Sequence, residues 1–348
     1  MPSTVLKKTY SPQYIYIQTL VNHLNQIERL YGQLESLHIP KKLQLNLERN
    51  NLVQSSYISN SIEGNSLSLP EVTNLLLDER VPVNRDEKEV KNYFNLLQDL
   101  PEIASEPLVL ETILQIHAEL MAGVDDAIAG QIRDTRVVVG GYLGRGDDKI
   151  LRIKHEPPTH SRPKIKKKLE QLLHWYYNDD DTPAILKAGI FHHQYVYIHP
   201  FEDGNGRTCR LLTALTLLQA GYQINKYFVL DDYYDLDRAN YSNMLNSADQ
   251  GDKTQWLTYF AAGVMYSLQS ALGKIEQADL MVQINERPTP REREVLALLK
   301  KRQQLTSAEL AEKLNVSRQQ AHKLLVGLVE KGFARQVGKT KGSYYEVE

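Results

Sequence analysis

The sequence predicts a mainly α-helical protein with one β-hairpin and a small separate unit at its C-terminal end. Three features of the 348 residues point that way. Apolar positions recur at helical spacing along most of the chain before Leu272. One stretch, Thr135 to Pro158, instead sets β-branched runs around a turn rich in glycine and aspartate. Finally, Pro288 and Pro290 interrupt the helical pattern before a short segment that restarts it.

Taken in order, Leu20, Val21, Leu24, Ile27, Leu30, Tyr31 and Leu34 share one helical face, and "HIPKK" breaks the run. Two amphipathic helices are therefore expected between about Pro12 and Leu52. The body from Asn65 to Leu272 continues mostly helical. Within it, "AILKAGIFHHQYVYI" and "LLTALTLLQAGY" are apolar on most faces and read as buried helices. "PKIKKKLEQLLHWYY" reads as a helix with a solvated basic face. Beyond the prolines, Thr306 with Glu309 and Ser317 with Gln320 form capping boxes that open two helices. A turn at Asn315-Val316 joins these helices, and a strand pair around "GKTKG" follows. The expected divisions are an N-terminal helical region (1–110), a core with its hairpin (111–272), a linker (273–290) and a terminal unit (291–348).

Composition is that of a soluble globular protein, with 42% hydrophobic and 24% charged residues. No apolar run is long enough to span a membrane, and the first residues lack a signal-peptide core, so the cytoplasm is the expected location. A single cysteine, Cys209, excludes an internal disulfide and reads as a small buried filler. His192 and His193 are adjacent on a helix and cannot converge on a metal with His199, so they read as ordinary core or surface histidines. Charge is uneven. Residues 286–348 hold 13 Lys/Arg against 8 Asp/Glu, while the rest hold 28 against 35. A basic module thus follows an acidic body.

The chemistry concentrates in His199 to Arg210, "HPFEDGNGRTCR". Between two buried helices, Gly204, Asn205 and Gly206 let backbone N–H groups line one anion-binding concavity. The helix that begins there adds its free N–H groups and its partial positive charge. Arg207 and Arg210 are three residues apart and can face the same anion. Asp203 offers a hard oxygen suited to Mg²⁺ shared with phosphates. His199, at the rim, has the pKa of about 6.5 that suits a proton acceptor. Together these residues point to phosphoryl or nucleotidyl transfer.

The same twelve residues match H-x-F-x-[DE]-G-N-G-R-x-x-R at every specified place, and the chain thereby resembles the Fic family. "GQIRDTRVVVGG" and the Pro157-Pro158 pair resemble the segment that forms that family's flap, so the likeness covers about Leu52 to Leu272. It implies an all-α core with a β-hairpin flap and transfer of AMP from ATP to a protein hydroxyl. His199 would be the general base and Asp203 the Mg²⁺ ligand. Gly204, Asn205 and Gly206 would cradle phosphate oxygens, with one donor from the Asn205 side chain. Arg207 would take the β-phosphate and Arg210 the γ-phosphate, while Phe201 points inward. Val137, Val138, Val139 and Gly140 would form an edge strand for the target. Tyr241 and Asp249 would line the adenine pocket, Asp249 standing where relatives carry asparagine.

A second match is Ser59-x-x-x-Glu63-Gly64, which fits the family's inhibitory motif. It implies that Glu63 pairs with Arg210 and takes the place of the γ-phosphate. The last sixty residues resemble a winged helix-turn-helix of the bacterial regulator kind. Arg318, Gln319, Gln320 and Lys323 would face outward from its recognition helix, and Lys339 and Lys341 would lie on its wing. Either DNA or a protein fits such a surface. The expected protein is a bacterial adenylyltransferase that also modifies itself, and the resemblance implies a homodimer. Two alternatives stay open: an enzyme that uses another nucleotide or removes AMP, and a DNA-binding regulator with a nucleotide-sensing body.

Overall fold

A computed structural model describes residues 10–348 apart from 38, 40, 79, 144–149, 287 and 339–342. The hairpin turn and the wing lysines Lys339 and Lys341 therefore lie outside the described residues. The chain forms two compact units, residues 1–272 and 273–348. No helix among the described residues is long and apolar enough to cross a membrane.

In the first unit, α1 (Gln18–Ser36) and α2 (Lys41–Ile62) are the two helices expected on either side of "HIPKK". α1 buries Leu20, Ile27, Leu30, Tyr31 and Leu34, a single face at helical spacing. α3 (Leu69–Leu77) opens on a capping box between Ser68 and Glu71. α4 (Arg85–Ile103) is capped by Asn84, whose side chain accepts from the Glu87 N–H. α5 (Leu110–Met121) follows, then the antiparallel hairpin of β1 (Val139–Leu143) and β2 (Ile150–His155). Next come α6 (Arg162–Asn178), α7 (Ala184–Ile198), α8 (Asn205–Gln219), α9 (Asp231–Leu236), α10 (Arg238–Ser247) and α11 (Thr254–Glu286).

The center of this unit is the α7–α8 pair, which packs against α4, α5 and α6, with α2 against both α4 and α8. Most residues of α7 and α8 are buried, including polar ones such as His192, Arg207, Arg210 and Thr213. Contact with α11 is close at Gly189, where a β-carbon would come within 2.9 Å of the Phe260 ring. The Trp256 indole donates to the Gly189 carbonyl there at 2.7 Å.

Two boundaries differ from expectation. β1 starts at Val139 rather than Val137, and its pairing with β2 shifts register between Val139 and Gly140. Val137 and Val138 thus lead into the ladder without joining it. The segment read as a linker is helical as far as Glu286, because nothing in "GKIEQADLMVQINE" breaks a helix before Pro288.

The second unit contains α12 (Pro290–Arg302), β3 (Gln304–Leu305), α13 (Ser307–Leu314), α14 (Arg318–Glu330), β4 (Ala334–Val337) and β5 (Tyr344–Val347). Both expected capping boxes are present, and a third, Thr289 with Glu292, opens α12. The strands lie in the order β3-β5-β4, all antiparallel. Val295, Leu299, Leu305, Leu310, Leu325, Leu328 and Tyr345 form the unit's own core. Arg318, Gln319, Gln320 and Lys323 are exposed on α14.

Candidate active site

Helix α7 ends at Ile198, and His199 follows in the left-handed region with φ 49°. That conformation costs a residue with a β-carbon roughly 1–2 kcal/mol. Arg133 secures it. Its Nε donates to the His199 carbonyl at 2.7 Å. Its Nη groups reach the carbonyls of Thr135 (2.7 Å), Thr159 (2.9 Å) and Ile198 (3.4 Å). One buried guanidinium therefore ties the His199 turn to both ends of the flap.

The loop after His199 is held from inside. The buried Phe201 ring stacks on His117, with centroids 3.6 Å apart. The Asn205 amide accepts from the Phe201 N–H at 2.9 Å and donates to its carbonyl at 2.8 Å. This side chain, expected to serve a phosphate, instead shapes the loop by pairing with both polar groups of Phe201. His117 Nδ1 accepts from the Gly130 N–H (3.0 Å), so Nε2 carries the proton toward the Asp203 carbonyl (3.0 Å). Burial pushes this imidazole down to about 4, and it stays neutral.

Gly204 adopts φ 74°, and a β-carbon there would press on Met121 Sδ at 3.1 Å and His117 Nε2 at 3.3 Å. As N-cap of α8 it has no side chain to bond the first turn. The leading N–H groups of α8 therefore open into the site. Glu63 reaches into this helix end from just beyond α2. Its carboxylate lies so close over Gly206 that a β-carbon at that position would collide with Oε1.

Arg210, buried on the first turns of α8, donates from Nη2 to Glu63 Oε1 at 2.8 Å. It also bonds Ser59, through Nε to the hydroxyl (2.7 Å) and through Nη2 to the carbonyl (2.8 Å). Burial opposes the guanidinium charge, but Glu63 and then Tyr241, Tyr93 and Asp231 outweigh it and raise the pKa. All three residues of the second motif thus act at one place, since Gly64 turns the chain after α2 with φ 93°.

Arg207 is buried 3.3 Å from Glu89 Oε1 and 3.6 Å from Asp203 Oδ1. Its Nε and Nη1 form no hydrogen bond of good geometry among the described residues. Buried, under-bonded cationic donors beside a helix N-terminus suit an anion. The half-exposed Asp203 carboxylate accepts from the Gly204 N–H (2.6 Å) and from Arg85 Nη2 (2.9 Å). A half-exposed carboxylate beside an anion site fits Mg²⁺, which usually shares its coordination between protein, phosphates and water.

His199 differs from a rim histidine. Burial, then the neighboring His155 and Arg133, push its imidazole down to about 4, against the Val196 carbonyl and Glu63. It is therefore neutral near pH 7 and able to accept a proton.

Tyr241 and Asp249 are the residues expected to line an adenine pocket. Tyr241 is buried, with its ring 4.3 Å from that of Tyr234 and its hydroxyl 2.8 Å from His192 Nε2. Asp249 lies between His155 (2.6 Å) and His193 (3.1 Å). The Tyr241 side chain is interior, whereas the Asp249 carboxylate is only partly buried between its two imidazole partners. His192 and Cys209 belong to the same packed interior, and the thiol lies 3.3 Å from the His192 carbonyl.

Sequence reasoning missed Arg133, His117, Glu89 and Arg85 as residues that shape the site. Only the family-like "GQIRDTR" hinted at the first of them.

The Fic/DOC family model matches residues 107–217, and a helix-turn-helix domain model matches residues 291–346. A protein adenylyltransferase Fic from Aedes aegypti is 30% identical over 256 residues, which are 70% of this chain and 47% of the relative. One from Culex quinquefasciatus is 29% identical over 257 residues, with the same coverage. The chain thus spans about half the length of these curated relatives. Among solved structures, a Fic family protein from Desulfovibrio desulfuricans G20 superposes with TM-score 0.65 at 23% identity, covering 97% of this chain and 98% of that one. A Fic-1 fragment from Caenorhabditis elegans gives TM-score 0.60 at 24% identity, covering 74% and 73%. These matches fall on the segments that build the loop, the flap and the terminal unit, and the chain carries a Fic/DOC domain over residues 107–217 and a helix-turn-helix domain over residues 291–346.

Proposed function

We propose that this site transfers AMP from ATP to a hydroxyl of a protein target, including the protein itself, and that Glu63 holds it inactive. The observation that carries the reading is His199 in the turn that leads into an open helix end, where Arg210 already holds a carboxylate. In the proposed step, His199 takes the proton of the attacking hydroxyl, whose oxygen forms a bond to the α-phosphorus. The bond to the bridging oxygen breaks, and pyrophosphate leaves with the electron pair. A positioned base of this kind contributes about 10²–10⁴ in rate. The α8 N–H groups, Arg207 and Arg210 stabilize charge on the phosphates without rearranging as it develops. Asp203 would hold Mg²⁺, which when bound neutralizes phosphate charge.

The brake follows from the same geometry. Glu63 lies over Gly206 and on Arg210, where an anionic phosphate group would otherwise be bound. ATP then binds only with its phosphates displaced from the attack position. The test is AMP incorporation from α-labeled ATP with Mg²⁺ in the parent, Glu63→Gly, and Glu63→Gly with His199→Ala. Label should appear with Glu63→Gly and vanish in the double variant. Equal labeling of parent and Glu63→Gly would sink the brake, and labeling that survives His199→Ala would sink the base.

For the terminal unit we propose duplex DNA as partner, supported by the helix-turn-helix match and the exposed polar face of α14. Fluorescence anisotropy with a labeled duplex should show salt-sensitive binding that Arg318→Ala with Lys323→Ala weakens. Binding that the double variant leaves unchanged would argue against this face.

A further inference from the structure

A chain of titratable side chains, Lys253–His193–Asp249–His155, lies behind the flap and takes no part in the steps above. Lys253 Nζ is 2.7 Å from His193 Nδ1, and His193 Nε2 is 3.1 Å from Asp249 Oδ1. The other Asp249 oxygen is 2.6 Å from His155 Nδ1, and His155 Nε2 is 3.0 Å from the Tyr197 carbonyl. The run joins the α10–α11 connection, which carries both Asp249 and Lys253, to helix α7 and the last residue of β2.

Donor counting fixes the protons. The Lys253 ammonium can only donate, so His193 Nδ1 accepts and its Nε2–H donates to Asp249, as a neutral ring does. Asp249 is ionized: burial opposes its charge, but the bonds from His155 and His193 hold it down at about 2. His155 therefore faces two acceptors, a carboxylate and a backbone carbonyl. A neutral imidazole has one N–H and satisfies only one of them, whereas an imidazolium satisfies both.

His155 pairs with Val139 across the hairpin, so its anchoring fixes the strand opposite the flap's leading edge. Around it, α7 contributes His193 and Tyr197, with His199 just beyond that helix, and the α10–α11 connection contributes Asp249 and Lys253. Its chain neighbors are Lys154, near Ser242, and Glu156, paired with Arg136. His199 in turn faces His155, Arg133, Glu63 and the Val196 carbonyl.

We propose that His155 is a positioning residue, held as an imidazolium by Asp249 and the Tyr197 carbonyl, which anchors the flap's return strand and sets a fixed positive charge beside His199. The proposal rests on the reading of His199 as the base. A positive neighbor disfavors a second proton on His199 and keeps it available as acceptor.

Two measurements test it. In histidine-labeled full-length protein at pH 7, with His155→Gln used for assignment, NMR should show both ring nitrogens of His155 protonated. Asp249→Asn removes the carboxylate while keeping the side-chain shape, and should return His155 to a singly protonated ring. A singly protonated His155 in the parent, or no change in Asp249→Asn, overturns the proposal. In the Glu63→Gly background, His155→Gln should move the acidic limb of the kcat/KM–pH profile for AMP transfer upward by roughly half a unit or more. A slower enzyme with an unmoved limb would mean that His155 only braces the fold, which also overturns it. An inactive Glu63→Gly parent would instead sink the AMP-transfer reading, and the NMR measurement would still decide the protonation of His155.

Discussion

Arg133 shows how much one side chain can hold. Its guanidinium donates to four backbone carbonyls on three segments, and no hydrophobic residue of similar size could replace those bonds. Arg133→Met should cost about 2–4 kcal/mol of unfolding free energy, measured by chemical denaturation, because buried carbonyls lose their donors. Transfer in the Glu63→Gly background should fall as well, since the left-handed turn at His199 loses its tie. Arg85 acts in the opposite sense by occupying Asp203. Arg85→Ala should therefore lower the Mg²⁺ concentration needed for half-maximal labeling in that background, and an unchanged requirement would separate Arg85 from the metal site.

At the scale of elements, α2 buries several polar residues. Ser55 bonds Asp231 at 2.6 Å, Ser59 bonds Arg210, and Ser56 and Asn60 bond within the helix. Polar contacts therefore tie the helix to α9 through Ser55 and to α8 through Ser59. Ser59→Ala should raise AMP transfer several-fold but less than Glu63→Gly, because the Glu63–Arg210 pair remains. The end of α2 and the loop before α8 were legible in the sequence because both are contiguous motifs whose glycines and charges have no simpler structural use. The supports were not. Arg133, His117, Glu89 and His155 each lie far along the chain from the groups they hold, and no spacing rule connects them. Asn205 and Asp249 illustrate the complementary difficulty. Their residue types suited a ligand, but the fold spends them on the Phe201 backbone and on two histidines.

For the molecule as a whole, four buried imidazoles dominate the response to acid. Burial lowers His117, His193 and His199 to about 4, and His192 further. The unfolded chain takes up these protons near pH 6.5 while the folded chain refuses them. Stability present above that pH is therefore lost as pH falls toward 4, on the order of 1.4 kcal/mol per histidine per pH unit. Asp231 works the other way. Burial raises it to about 6, so its contribution is greatest below its ordinary pKa and fades as pH rises through 6. Four groups outweigh one, and the denaturation midpoint should be clearly lower at pH 5 than at pH 7. The separate cores of the two units predict that a chain ending at Glu286 keeps the fold of the first unit and the labeling seen with Glu63→Gly. Loss of either would make the terminal unit a requirement for the fold or for catalysis.

On the proposed reading of Glu63 as a brake, the position of its carboxylate over Gly206 also sets what kind of inhibitor it would be. A carboxylate tethered to its own receptor site is present at a fixed effective concentration. Diluting the protein cannot weaken it, and no partner has to dissociate for the enzyme to wake. Only a rival anion at the helix end, or a pull on α2 that withdraws Glu63, changes the balance. An enzyme braked in this way would report mechanical or binding events on its N-terminal helices, and its abundance in the cell would leave the degree of inhibition unchanged.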